Sequence, residues 1–349
     1  MREERLDGTA AADDASALIA ADVGGTHARL AWIEPADDAS AFAIRAYREY
    51  VCAEFPSLAA IVVAFRAETG APAQRVALAI AGYVVDGAVV NVSLPWSVSI
   101  AALRDAIGAR ELAVVNDFEA AAHAIGRVGA ADATRLCGPE RSRGGAELVV
   151  GPGTGLGAAL RVPQDGRTLV LATEAGQATL APETDLEFEL LRELRRSEPR
   201  VLIEHVLSGG GLARLDAAIR VVRGAPAAAR TPAEISAAAL DGGDAIAAEA
   251  VETFCGWLGA VLGDLVLLYG AQGGVHLAGG VLPRIRPLLA RSRFVERFLA
   301  KGAMRAALER TPVRLVDHAQ LGVVGAASWY FDRGRAAGAR SLSFDAAQA

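Results

Sequence analysis

Apolar residues in this chain gather into short runs that end on glycine pairs. Leu18–Val23 is the first, and it stops at Gly24-Gly25. Ala28–Ile33 and Phe42–Tyr50 follow as further strand-like runs, with Glu34–Asp38 as the turn between them. The period then changes. Leu58, Ile61, Val62 and Phe65 stand at i, i+3, i+4 and i+7, which predicts a helix over residues 56–68. Arg75–Ala81 reads as a strand and Val98–Ile107 as a helix. Leu112–Val115 reads as a buried strand that runs into Asn116-Asp117.

The second half begins in the same way. Glu147–Val150, Ala158–Val162 and Thr168–Leu171 are strand-like, and the glycine-rich stretch Gly151–Gly157 joins the first two. Thr184-Asp185-Leu186-Glu187 is a capping box and opens a helix to about Arg195. Pro232–Leu240 predicts a helix stopped by Gly242-Gly243, and Asp244–Tyr269 a long one ended by Gly273-Gly274. A buried strand Val275–Ala278, a Gly279-Gly280 turn and a helix entry Pro283–Leu289 come next. Val313–Val316 is a last strand, and Gly322–Phe331 a helix of small residues. The β-β-β-α-β-α-β order of the first half is that of a ribonuclease-H-like domain, an antiparallel meander joined to a parallel extension. We therefore expect an α/β protein of two similar units with a cleft between them. Residues 17–116 with about 317–340 would form a small domain, 117–316 a large one, and 1–16 a flexible polar tail.

Composition supports this and removes alternatives. A length of 349 residues suits two domains, and 52% hydrophobic with 22% charged residues is a globular balance. The net charge of −6 argues against nucleic acid or an anionic membrane surface as partner. Cys52, Cys137 and Cys255 are far apart and form no CxxC, so reduced thiols in a cytoplasmic setting are expected. No apolar signal core opens the chain, and the apolar stretch between Glu252 and Asp264 is short for a membrane span of about 20 residues. Lys301 is the only lysine, and Gly302 follows it. A Walker A lysine is therefore absent, and any nucleotide must be held without one.

Three segments carry candidate chemistry. In Asp22-Val23-Gly24-Gly25-Thr26 the glycines let main-chain amides approach a phosphate, Thr26 offers a hydroxyl, and Asp22 suits Mg²⁺. Arg29 is close enough in sequence to face the same phosphates. Taken alone, the segment is equally an ordinary hairpin. Gly153-Thr154-Gly155 lies in a second glycine loop whose spacing loosely resembles a dinucleotide fingerprint. That fingerprint must open a helix, whereas Ala158–Val162 reads as a returning strand. A second phosphate clamp is the better fit. Asp117 sits at the C-terminal end of a buried strand, where open α/β sheets place ligands, and could accept the proton of an attacking hydroxyl. It is also well placed to be a helix N-cap. Gly279-Gly280 would let an adenine ring lie flat on the backbone, or simply make a strand-to-helix turn.

Together these segments resemble the bacterial glucokinase family, in the branch without the cysteine-rich zinc motif. The resemblance runs from Ala17 to about Arg333. It rests on Asp-Val-Gly-Gly-Thr at 22–26, Ala-Gly-Tyr-Val at 81–84, Leu-Pro-Trp-Ser at 94–97 and Asn-Asp-Phe-Glu-Ala at 116–120. It continues through Gly-Thr-Gly-Leu-Gly at 153–157, Glu-His-Val-Leu-Ser-Gly at 204–209 and Gly-Val-His-Leu-Ala-Gly-Gly at 274–280. The resemblance implies two actin-type, hexokinase-like domains that close around glucose and ATP with Mg²⁺, often in a homodimer. It implies Asp117 as the base toward the sugar 6-hydroxyl, beside Asn116, and Glu174 and Glu204 as sugar-binding carboxylates. Phosphate and nucleotide contacts would come from Asp22, Gly24, Gly25, Thr26, Gly153, Thr154, Gly155, Gly279 and Gly280. Three positions depart from the family pattern: Ser93 and Gln177 replace an Asn and a His expected at the sugar, and His27 replaces an Asn in the first glycine loop. At about 1–3 kcal/mol per lost polar contact, two losses weaken sugar affinity by roughly 30-fold to about 20,000-fold. A kinase for another hexose, such as mannose or an amino sugar, and a sugar- or nucleotide-sensing homologue are the alternatives.

Overall fold

The computed structural model describes residues 17–344 except 37–41, 73, 91–93 and 165–166. The expected tail and Ser93 lie outside the described residues. The chain divides into two compact units, residues 1–126 with 319–349 and residues 127–318.

The first unit opens with β1 (Leu18–Val23), β2 (His27–Pro35), β3 (Phe42–Val51), α1 (Leu58–Thr69) and β4 (Arg75–Ile80). A small antiparallel sheet follows, made of β5 (Tyr83–Val85), β6 (Ala88–Val90) and β7 (Val98–Ser99), and then come α2 (Ile100–Ala106), β8 (Glu111–Asn116) and α3 (Asp117–Ala124). The second unit contains β9 (Ala133–Cys137), β10 (Glu147–Pro152), β11 (Leu156–Gln164), β12 (Arg167–Thr173), α4 (Asp185–Leu194) and α5 (Gly209–Val222). It continues with α6 (Pro232–Asp241), α7 (Ala245–Tyr269), β13 (Gly274–Leu277), α8 (Leu282–Leu289), α9 (Phe294–Leu299), α10 (Arg305–Leu308) and β14 (Val313–Val316). α11 (Leu321–Phe344) returns the chain to the first unit.

The two main sheets share a plan. The first runs β3-β2-β1-β4-β8 and the second β12-β11-β10-β13-β14-β9. In each, an antiparallel meander of three strands is extended by parallel strands, β4 beside β1 and β13 beside β10. Alternation along β1 follows from the pleat: Ile19, Ala21 and Val23 enter the core shared with α1, while Leu18 and Ala20 face Val323, Ala326 and Ala327 of α11. Both faces of this sheet are covered, which explains why its central strands read as continuous apolar runs. The second unit is organised around α7, whose Trp257, Phe254 and Leu258 are fully buried. Each such side chain contributes about 1.5–3 kcal/mol by leaving water. α7 is long and apolar enough by length and composition to cross a membrane, and 78% of its apolar window is buried within the protein.

Four details differ from the sequence-based expectation. The 98–107 segment begins as the short strand β7, and its helix starts only at Ile100, capped by Ser99 Oγ accepting from Ala102 N. The long helix α7 ends at Gly270 (φ 62°), before Gly273-Gly274; the left-handed conformation there favours glycine. α5 was not legible because its first turn is Gly209-Gly210-Gly211, and Ser208 caps it. The break between units falls after Gly126 and not at Asn116/Asp117. α3 packs on α11 and β8, so it stays with the first unit.

Candidate active site

In the first unit the β1–β2 turn carries Gly24, Gly25 and Thr26. Gly24 N donates to His27 O (3.0 Å), closing the turn. From below, the buried Cys52 donates its amide to Thr26 O (2.8 Å) and its thiol to Gly24 O (3.4 Å). Burial raises the Cys52 thiol pKa, against the pull of Arg29. Thr26 itself is exposed at the tip.

The antiparallel register sets Asp22 opposite Arg29, and Arg29 opposite Glu49. Arg29 lies 3.6 Å from the Asp22 carboxylate and 2.8 Å from Glu49. Burial raises the Asp22 pKa; Arg29 opposes this through its charge and a hydrogen bond, and Glu49 adds a smaller upward push. Arg29 is thus tied between two carboxylates. One hard carboxylate beside an open glycine turn suits Mg²⁺, which commonly takes one or two protein carboxylates plus phosphate oxygens.

At the end of β8, Asn116 is the N-cap of α3. Its Oδ1 accepts from Phe118 N (2.9 Å) and Glu119 N (3.2 Å). The capping role considered for Asp117 therefore belongs chiefly to its neighbour. Asp117 is the first residue of the helix, half-buried, with Oδ1 also accepting from Phe118 N (2.9 Å). A carboxylate in a helix's first turn is stabilised by the unpaired amides there.

The second unit gathers its candidate residues around the β10–β11 turn. Residues 151–152 pair with 156–157 in antiparallel register, so this glycine loop joins two strands and opens no helix. The dinucleotide alternative fails on that geometry. Gly153 N donates to Gly155 O (2.8 Å), and Thr154 is exposed at the tip, as Thr26 is in the first turn. Gly279 lies against the same loop: a Cβ there would meet Pro152 O at 2.6 Å, and its φ of +97° favours glycine independently. A Cβ at Gly153 or Gly280 would meet nothing within 4 Å, so both leave open space over the backbone, as a nucleotide cradle requires.

Gln177 and Glu204 lie on two adjoining 3₁₀ turns, Ala175–Gln177 and Ile203–His205, and Glu174 immediately precedes the first. Gln177 Nε2 donates to Glu204 Oε1 (2.8 Å), and Gln177 N donates to Glu174 O (3.0 Å). The other Glu204 oxygen reaches the glycine loop, 2.6 Å from where a Gly155 Cβ would stand. Ser208 Oγ donates to Glu204 O (2.7 Å) and accepts from Gly211 N (3.0 Å), while Gly209 N donates to Gly153 O (2.8 Å). The start of α5 therefore ties the candidate sugar carboxylate to the candidate phosphate loop. Sequence reasoning missed Ser208, Gly209 and Cys52; a Ser before a helix was a usable signal, but three glycines masked the helix.

Comparison with known proteins identifies the family. The glucokinase family model matches residues 19–332. A glucokinase-like protein from Xylella fastidiosa (strain 9a5c) is 46% identical over 318 residues, covering 90% of this chain and 95% of the relative. A glucokinase from Marinobacter nauticus is 36% identical over 310 residues, covering 88% and 95%. The crystal structure of a glucokinase from an Antarctic psychrotroph matches with a TM-score of 0.78 at 36% identity, covering 90% of this chain and 98% of that one. With the doubled meander sheets and a family match over nearly all described residues, this chain belongs to the glucokinase family.

Proposed function

We propose that the protein transfers the γ-phosphoryl group of ATP to the 6-hydroxyl of glucose. One observation carries the proposal: the two sheets have the same strand plan, and each bears a glycine-threonine turn at the same hairpin. A phosphoryl-transfer site needs backbone donors around a polyphosphate, and each of these turns can offer them.

In this proposal Asp117 accepts a hydrogen bond from the sugar 6-hydroxyl, orients it for in-line attack and takes its proton. Asn116 fixes the loop through its cap and offers its amide to the sugar. Glu174, Gln177 and Glu204 orient the ring hydroxyls, with Ser93 as a further contact. Gly24, Gly25, Thr26, Gly153, Thr154 and Gly155 hold phosphate oxygens, and Gly279 and Gly280 face the adenine. Asp22 is the metal carboxylate; Mg²⁺ when bound neutralises phosphate charge. A homodimer and a cytoplasmic location complete the proposal, and the free thiols of Cys52, Cys137 and Cys255 fit a reducing compartment.

The Gln177–Glu204 bond gives a second reading some weight, a kinase for a different hexose, because Gln177 spends a donor on Glu204. A panel of hexoses at fixed Mg-ATP, with ADP and sugar 6-phosphate followed together, tests both. Glucose should give the highest kcat/KM with one ADP per sugar phosphate. A higher value for another hexose would replace the substrate, and ADP without sugar phosphate would reject the kinase.

A further inference from the structure

Helix α11 begins directly against the Asp22 carboxylate. Gln320 O accepts the amide of Val324, so the amides of residues 321–323 precede the first helical bond. Within this turn, a Cβ at Gly322 would fall 2.5 Å from Asp22 Oδ2 and 2.6 Å from Asp22 Cβ, with Cγ nearer still. Such a clash cannot be relieved by swinging a flexible side-chain end, because Asp22 Cβ is fixed by β1, the central strand of its sheet. Nor can α11 retreat easily. One turn further on, Gly325 packs on the Ala120 carbonyl of α3, where an added Cβ would overlap the backbone. Val323, Ala326 and Ala327 of the same helix are fully buried against the sheet. Gly322 has no left-handed φ, so the requirement for glycine there is one of space alone.

We infer that Gly322 is a positioning residue for the Mg-nucleotide site: it lets the first turn of α11 seat the Asp22 carboxylate. This rests on the proposed role of Asp22 as the metal carboxylate. Two features of the turn act on Asp22. Its amides, which precede the first helical bond, favour a negative charge close by. Its lack of a side chain fixes where the carboxylate oxygens stand relative to the Gly24–Thr26 turn. Groups that orient a metal ligand commonly matter by about 10–100-fold in metal affinity.

The test is Gly322→Ala in the full-length protein, read by calorimetric binding of ADP with Mg²⁺ and with EDTA, and by glucose binding. The Mg²⁺-dependent gain in ADP affinity should fall about 10–100-fold, with ADP affinity in EDTA and glucose affinity within about twofold. An unchanged Mg²⁺-dependent gain in the folded variant would overturn the inference. Should Gly322→Ala unfold the protein, Gly322→Ala with Asp22→Gly decides. Removing Asp22 Cβ, Cγ and Oδ2 relieves all three overlaps and should restore folding relative to Gly322→Ala; a double variant as unstable as the single one would overturn the inference. Asp22→Ala alone separates the two layers. If it leaves the Mg²⁺ dependence intact, the role of Asp22 is wrong. If it abolishes that dependence while Gly322→Ala does not, only the positioning role is wrong.

Discussion

Gly155→Ala should damage glucose binding although Gly155 lies in the candidate nucleotide loop. The added Cβ would stand 2.6 Å from Glu204 Oε2 and 3.6 Å from its Cδ. Gly155 has no left-handed φ, so the backbone tolerates alanine and the whole cost falls on the contact. Moving Oε2 from 2.6 Å to an ordinary contact beyond 3.4 Å displaces the carboxylate by about 0.8 Å. The 2.8 Å bond from Gln177 Nε2 to Glu204 Oε1 cannot survive a shift of that size in the wrong direction. Losing a hydrogen bond to a charged acceptor costs about 1.5–3 kcal/mol. If Glu204 must hold that geometry to receive the sugar, glucose affinity falls roughly 10- to 150-fold. Calorimetric titration with glucose in the absence of nucleotide reads this directly. Gln177→Leu should produce a similar loss, and the two substitutions together should not add, because they remove the same restraint. Unchanged glucose affinity in a folded Gly155→Ala variant would refute the coupling between Glu204 and the loop.

Other expectations concern stability. Asn116→Ala removes the acceptor for two α3 amides and should cost about 0.5–2 kcal/mol in chemical denaturation without sugar, whereas Asn116→Asp should retain most of it. Arg297→Met leaves Glu187, which is 2% exposed, without the guanidinium that contacts it at 2.7 and 3.1 Å; a loss of about 3–5 kcal/mol is expected, and one under about 1 kcal/mol would show the pair to be dispensable. His276 has its pKa lowered from 6.5 to about 4 by burial and then by Arg314 and Arg161. Glu147, 3.9 Å away, does not reverse this because it is engaged by Arg161. The folded value lies below the unfolded one, so this stabilisation is present above pH 6.5 and is lost as pH falls toward 4. The His276 share of the loss between pH 7 and pH 5 is about 2 kcal/mol, and it should be missing from the unfolding curves of His276→Gln.

Much of the fold was legible because local signals and tertiary packing agree. β1, β2, β10 and β11 are apolar runs between turn residues, and α4, α6 and α7 carry side-chain caps at Thr184, Thr231 and Asp244. α5 was not legible, since its first turn is three glycines that mimic a loop, of which Gly211 is needed for close approach to the Val206 backbone. At the candidate site, the turn around Thr26 and the helix start at Asp117 were visible as local patterns. The tie between Glu204 and Gly155 was not, because 49 residues separate them and only folding brings them together. The seat of Asp22 against Gly322 was hidden for the same reason: no local spacing connects β1 with a helix at the other end of the chain.

The most direct test of the account is Asp117→Asn, followed by glucose binding and by single-turnover formation of glucose 6-phosphate from ATP. The substitution keeps size and hydrogen bonding but removes the carboxylate that takes the hydroxyl proton. Glucose affinity close to wild type with glucose 6-phosphate formation lowered by at least about a hundredfold is the predicted result. Turnover within about tenfold of wild type would contradict the central assignment.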